Sequence, residues 1–361
     1  MATVASVVPD RVPGLRYVTD QEPGIGRRRC GKGFVYTGPD GKRLTNRDEL
    51  ERIRKLVIPP AWTRVWICPS ASGHIQATGY DAKGRKQYRY HARWRKVRDE
   101  AKFDRTITFG EALPALRRRV RKDMATPGLP KERVVATVVA LLDCCFARVG
   151  NEQYAKENGS FGLTTLRDRH AKIRGSKLRL RFKGKGGKDH DVLVDDPRIV
   201  HIVRRSQDIP GQQLFQYLDD DGTPCPIDSG DVNEYLKEAT GSEFTAKDFR
   251  TWAGTVAAAA ELAADEPPPT ERERQRAVVT AVGAVAEQLG NTRAVCRASY
   301  LHPDVLDGYM DGSLRAAWER RPASGASSQR GLRADERFTL RFLKSSAKTR
   351  TRAAKRGQKA A

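Results

Sequence analysis

The sequence predicts an α+β protein, with a strand-rich N-terminal domain and a mostly α-helical second domain that carries a small β-hairpin sheet. Three observations predict it. From Arg16 to Tyr90, short β-rich stretches are broken by Gly, Pro and Asp turns. After about Trp94 the apolar spacing becomes helical. Within that helical text, "KLRLRF" and "DVLV" alternate with period 2 around "KGKGGKD". The boundaries expected from this are a leader at 1–14, the β-rich domain at 15–95, the helical domain at 96–318 and a disordered basic tail at 319–361.

In order along the chain, "GFVYTGPDGKRL" reads as strand, Pro-Asp-Gly turn and strand. "TNRDELERIRKLVIPP" reads as a short helix, capped by Thr45 with Asp48 or by Asn46 with Glu49, and stopped by Pro59-Pro60. "RVWICPS" and "GHIQATGY" read as strands, and "YDAKGRKQYRY" as a hairpin tip around Ala82-Lys83-Gly84. "RWRKVRDEAKF" and "FGEALPALRRRVRKDM" are basic and helical. "KERVVATVVALLDCCFARVG" is nearly apolar and reads as a buried helix ended by Gly150. "TAKDFRTWAGTVAAAAELAA" opens on a Thr245 cap with Asp248 three residues on. After the linker "DEPPPTERER" another helix runs to Gly290. From Lys344 to Ala361 there are seven basic residues and no acid, the composition of a solvated, phosphate-seeking tail.

The 361 residues carry a formal charge of +23, and 39% are hydrophobic. That is enough apolar content for a core. The charge asks for a polyanion, and counterion release at phosphates makes duplex DNA the expected partner ahead of a membrane surface. No apolar run approaches the length of a membrane span, and no signal-peptide pattern opens the chain. The six cysteines (Cys30, Cys68, Cys144, Cys145, Cys225 and Cys296) form no C-x-x-C pair and no Cys/His cluster. The expectations are therefore no metal, no cofactor, no disulfide framework and a cytoplasmic, nucleoid-associated monomer.

Four places join a reactive or cationic side chain to a helix end or hairpin tip. They are Arg148 after the apolar helix, Lys185 in the hairpin, Arg250 near the start of a capped helix, and Asn291 with Tyr300 after the break at Gly290. Singly, each reads as structure: a helix-end cap, a solvated tip, an ion-pair partner, a core tyrosine. As a set they match what phosphodiester transesterification needs without a metal. Guanidinium forks stabilise charge on non-bridging oxygens. A lysine protonates the leaving oxygen. A tyrosine attacks, with cationic neighbours favouring the phenolate.

With those residues the chain resembles the type IB DNA topoisomerases, specifically the small poxvirus-like group found in bacteria. "FARVGNEQYAKENGSFGLTTLRDRH" resembles that family's first catalytic-arginine segment, "LRFKGKGGKDHDV" its lysine hairpin, "AKDFRTWAG" its Lys-Asp-x-Arg-Thr motif and "LGNTRAVCRASY" its nucleophile segment. "AKGRKQYRYH" is similar to its N-terminal DNA-contact segment. The matches run in order from about Tyr17 to Met310. The resemblance implies a clamp around duplex DNA, Tyr300 as nucleophile, Arg148, Arg250 and Asn291 on the phosphate, and Lys185 with Lys247 as proton donors. It implies DNA contacts at Gln87, Tyr88, Tyr90, Asn151 and Tyr154. Poxviral members carry histidine where this chain has Asn291, so that position is not an obligatory acid or base; His302 is expected to be structural. The implied activity is relaxation of supercoils of either sign through a 3′-phosphotyrosyl intermediate, without ATP or metal. A tyrosine recombinase and a non-catalytic nucleoid protein are the rival readings.

Overall fold

The computed structural model describes residues 12–31, 33–82, 84–321 and 331–360. The chain divides into two compact units, with the boundary between Asp104 and Arg105. Its expected α+β composition holds: an antiparallel sheet near the N-terminus is followed by a mostly helical region with small sheets.

The N-terminal unit is a five-stranded sheet of β1 (Ile25–Cys30), β2 (Gly33–Thr37), β3 (Thr63–Ile67), β4 (Ile75–Tyr80) and β5 (Lys86–Tyr90), ordered β2-β1-β3-β4-β5. Each neighbouring pair is antiparallel. The second strand expected after the Pro-Asp-Gly turn is only a bridge, Thr37 to Arg43. Helix α1 (Arg47–Lys55) starts at Asn46, whose side chain accepts from the Glu49 amide at 3.0 Å. That leaves Thr45 outside the cap. Acids open α1 and bases close it, which complements its dipole. Ile53 of α1 joins Ile25, Val65, Ile67 and Ala77 in a buried cluster. Arg52 ties the helix to the sheet by donating to Gln76 Oε1 at 2.7 Å and Cys68 O at 2.6 Å. Lys83, at the expected tip of the β4–β5 hairpin, lies outside the described residues, as does most of the expected leader.

The two basic helical stretches are one helix, α2 (Ala92–Met124). Its first turns belong to the N-terminal unit. Trp94 packs edge-on against Tyr17 and His74, and Arg93 donates to Pro13 O. The unit boundary therefore falls inside this helix, later than the 95/96 break in sequence character. Pro114 interrupts the amide ladder without ending the helix, and Gly110, the residue four before it, leaves room for the Trp252 ring.

The second unit continues with α3 (Lys131–Cys145), α4 (Glu152–Asn158), β6 (Ala171–Arg174), β7 (Lys177–Lys183), β8 (Asp189–Val194), α5 (Pro197–Gln207), β9 (Gln216–Leu218), β10 (Pro224–Pro226), α6 (Ser229–Thr240), α7 (Ala246–Ala264), α8 (Glu271–Gln288), α9 (Arg293–Tyr300), α10 (Pro303–Met310), α11 (Ser313–Glu319) and α12 (Ala334–Ala360). The antiparallel sheet β6-β7-β8 buries Leu178, Leu180 and Phe182 and exposes the lysines and arginines between them, as period 2 requires. Helix α7 is the spine. Phe249, Trp252 and Val256 lie in a core shared with α2, α3 and α5, while Ala258, Ala259, Leu262 and Ala263 lie in a second core shared with α8, α10 and α12.

Two expectations are corrected here. Helix α3 ends at Cys145, five residues before Gly150, because Phe146 takes a left-handed conformation with φ 53°. The region expected as a disordered tail contains α12, anchored by buried Glu336, Phe338, Phe342 and Leu343. Glu336 accepts from both Nη atoms of Arg117 on α2 at 2.8 Å and from the Trp252 indole at 3.3 Å. No described helix is long and apolar enough to cross a membrane.

Candidate active site

A cleft of about 330 Å³ in the second unit is lined by Arg148, Asn151, Tyr154, Lys185, Lys247, Arg250 and Tyr300, among others. Residues far apart in sequence meet here because α7 supplies two of them and receives a third. The capping box of α7 closes with Asp248 accepting from the Thr245 amide at 2.7 Å. Asp248 also holds Arg105 at 2.9 Å. That fixes the first turn, with Lys247 exposed and Arg250 turned inward at 3% exposure.

Arg250 donates from Nη1 to Phe146 O and from Nη2 to Leu289 O at 2.6 Å. Phe146 and Leu289 are the C-terminal cap residues of α3 and α8. The guanidinium thus sits where two helices present carbonyl oxygens, which suits a cation. Burial, then the nearby Arg148, pull its pKa below the usual arginine value, opposed by Tyr300. Its Cζ lies 5.1 Å from the centroid of the Tyr300 ring.

Arg148 follows the end of α3, outside regular secondary structure. Its carbonyl accepts from the Leu163 amide at 2.9 Å, and Gly162 packs so close that a Cβ there would lie 2.4 Å from Gly150 N. Its Nη2 donates to Asn291 Oδ1 at 2.6 Å. Because an arginine can only donate, the amide atom facing it is the oxygen. The Nδ2 group of Asn291 is left buried and without a hydrogen-bond partner. Asn291 itself is set by Gly290, at φ 61°, and by its own amide donating to Ala286 O at 2.8 Å.

The turn between β7 and β8 brings Lys185 to the cleft, where its Nζ lies 6.0 Å from the centre of the Tyr154 ring. Lys188 of the same turn donates to Asn291 O at 3.3 Å. Just beyond this turn, on β8, His190 stacks on Phe182 with centroids 4.8 Å apart. Burial, then Arg148, Arg250 and Lys188, lower the His190 pKa, opposed by Asp189. Asn151 caps α4, its side chain accepting from the Tyr154 amide at 3.0 Å.

Tyr300 closes α9 and is half-buried. Its carbonyl accepts from Thr255 Oγ1 at 3.3 Å, and the same hydroxyl accepts from the His302 amide at 3.1 Å. Gly254 lets this backbone approach α7; a Cβ there would lie 2.9 Å from Tyr300 O. His302 is buried and caps α10 through Nδ1, which accepts from the Asp304 amide at 3.2 Å. The sequence reading missed Thr255, His190 and the carbonyl of Phe146. "HDV" and "GTV" lie inside quoted stretches, but nothing in them marks a contact made across 40 or more residues.

Gln87, Tyr88 and Tyr90 lie in the other unit, on edge strand β5. Strand alternation divides them. Tyr88 and Tyr90 share a face, stacked 5.8 Å apart, with Lys86 and Arg98 over their rings. Gln87 points to the opposite face and donates to Asp81 Oδ2 at 3.1 Å.

Comparison with known proteins bears on both units. The family described as eukaryotic DNA topoisomerase I, catalytic core, matches residues 91–321. The family described as bacterial DNA topoisomerase IB, N-terminal domain, matches residues 33–81. A DNA topoisomerase 1B of Acanthamoeba polyphaga mimivirus is 34% identical over 295 residues, which span 80% of this chain and 88% of that protein. A DNA topoisomerase 1B of vaccinia virus is 22% identical over 64% of this chain and 72% of its own length. A solved structure of the XerH site-specific recombinase bound to palindromic difH substrate is similar at TM-score 0.34 and 14% identity, over 53% of this chain and 48% of that one, too distant to bear on the reading.

Proposed function

This chain belongs to the type IB DNA topoisomerases, and from that membership we propose that it relaxes positive and negative supercoils by cutting and resealing one strand of duplex DNA. Tyr300 attacks the phosphodiester and forms a 3′-phosphotyrosyl link. Arg148, Arg250 and Asn291 grip the phosphate and stabilise the charge that builds on its oxygens. Lys185, assisted by Lys247, protonates the departing 5′-oxygen. The free end swivels, and its hydroxyl then attacks the phosphotyrosine. One phosphoester replaces another, so the exchange is close to isoenergetic and the scheme needs neither ATP nor metal.

The observation that carries this reading is the Arg148–Asn291 pair, whose arginine lines the same cleft as Tyr300. With Oδ1 taken by Arg148, the buried Nδ2 of Asn291 is a donor awaiting an acceptor, and a non-bridging phosphate oxygen is one. A positioning role for Arg250 alone would explain its two carbonyl partners, but not a neutral donor left open behind Arg148.

We further propose that the enzyme acts as a monomer within the nucleoid. Domain 15–95 contacts duplex DNA through Tyr88 and Tyr90, and domain 96–318 contributes Tyr154 and Asn151. Gln87 enters only if its bond to Asp81 is exchanged for one to a base. The deciding experiment is relaxation of positively and negatively supercoiled plasmid without ATP or magnesium, with Tyr300→Phe alongside. Relaxation of both, absent in Tyr300→Phe, with a protein–DNA adduct on a denaturing gel, is the expected result. A Tyr300→Phe protein that behaves like wild type would overturn the scheme in favour of a non-catalytic DNA-binding protein.

A further inference from the structure

Cys144 and Cys145 end α3, and their Sγ atoms are 3.1 Å apart. Adjacent residues on a helix ordinarily point about 100° apart. The contact arises at a helix end, where Phe146 leaves the helix with φ 53°. Cys144 is exposed, bonds Leu141 O at 3.6 Å and opens into a cleft of about 340 Å³ that also contains Asp143, Arg117, Asp196 and Leu193. Neither thiol belongs to the cleavage scheme.

We propose that Cys144–Cys145 is a thiol modification site, a vicinal dithiol that peroxide oxidises to a disulfide. The Cys144 thiolate attacks one peroxide oxygen, breaking the O–O bond and forming a sulfenic acid with loss of water. The Cys145 thiol then attacks that sulfur; the S–S bond forms and a second water leaves. Two thiols lose two electrons and two protons, and one hydrogen peroxide becomes two waters. The geometry assigns the order. Cys144 is the more exposed thiol, and the bond from Cys145 favours the thiolate on Cys144 while opposing it on Cys145, with burial and the Asp143 carboxylate working against both.

The disulfide reaches the active site through the backbone. Successive Cα atoms are about 3.8 Å apart, whereas disulfides ordinarily hold theirs at about 4.4–6.8 Å. Closing the bond forces the last turn of α3 to rearrange. The next carbonyl, Phe146 O, is an anchor of Arg250, and Arg148 lies two residues further on. This consequence rests on the proposed roles of those arginines.

The experiment treats reduced full-length protein with hydrogen peroxide in a Cys30→Ser/Cys225→Ser background. It then follows intact mass, peptide mapping and single-turnover strand cleavage. The expected result is a loss of about 2 Da, mapped to the Cys144–Cys145 peptide, with cleavage slowed about tenfold, a fraction of the cost of a lost oxyanion donor. Dithiothreitol restores both. Cys144→Ser and Cys145→Ser each keep their reduced rate after peroxide, and phenylarsine oxide binds one to one to the unmodified pair but not to either variant. Failure of peroxide to form this disulfide, or oxidation of Cys144 alone to a sulfinic acid, overturns the modification site. A disulfide that leaves cleavage unchanged overturns its coupling to the arginines. Absence of cleavage in the reduced protein would instead count against the proposed function, and the mass readout stands apart from it.

Discussion

At the scale of the residue, each contact in the cleft asks for a different substitution. Arg250→Lys keeps the charge, but one ammonium cannot reproduce a fork across Phe146 O and Leu289 O. Cleavage by Arg250→Lys or Arg148→Ala is expected to fall about 10²–10³-fold, the usual cost of an oxyanion donor. Asn291→Asp preserves the acceptor for Arg148 and places a second oxygen where Nδ2 donated, so a loss of the same size is expected, while Asn291→His retains a donor and most of the rate. Single-turnover cleavage checks these. Thr255→Val removes the hydroxyl that joins Tyr300 O to the His302 amide and strands that amide in a buried place. It is expected to slow cleavage about tenfold, or roughly 1.4 kcal/mol, and Thr255→Ser should restore it. A Thr255→Val enzyme with the wild-type rate would remove Thr255 from the positioning of Tyr300. At this scale the motifs name Arg148, Lys185, Arg250 and Tyr300, which line one cleft, and Asn291, which bonds Arg148. Their anchors were not legible, because backbone carbonyls such as Phe146 O carry no residue identity.

At the scale of the element, the legible features were those with a period or a cap: the Asn46 and Thr245 starts, the alternation of β7, the apolar face of α3. The end of α3 was not, since Phe146 enters a left-handed conformation that its side chain does not advertise. Helix α12 was missed because its basic half hides the part that binds, Glu336 to Leu343. Glu336 is fully buried between Arg117, Arg333 and Trp252, and the arginines hold its pKa at about 2 against burial, which works the other way. A carboxylate depressed in the folded state stabilises fully above its unfolded value, near 4.5, and loses that contribution as pH falls towards 2. Unfolding midpoints measured from pH 6 down to pH 2 should therefore decline most steeply below pH 4.5. Glu336→Gln should flatten that decline and cost about 3–5 kcal/mol at neutral pH by leaving Arg117 under-paired. An unchanged acid profile in Glu336→Gln would show that other carboxylates set it.

At the scale of the whole molecule, the formal charge of +23 governs encounter and release more than chemistry. Binding to duplex DNA should weaken linearly in log[salt]. Multiple-turnover relaxation should rise from low to moderate salt as release quickens, while single-turnover cleavage with enzyme in excess should not. A monotonic fall in turnover would argue that release is not limiting. The division into a strand-rich and a helical unit could be read from periodicity, but its location inside α2 could not, because helical period continues unbroken across Asp104 and Arg105. Helix α7 holds one further implication. Lys247, Arg250, Gly254 and Thr255 occupy little more than two turns of a single rod seated in two cores, so the proposed phosphate grip and the tether of the proposed nucleophile share one frame. They cannot be adjusted separately. Lys185 lies outside that frame, on a turn where Gly186 and Gly187 take φ 77° and 74°.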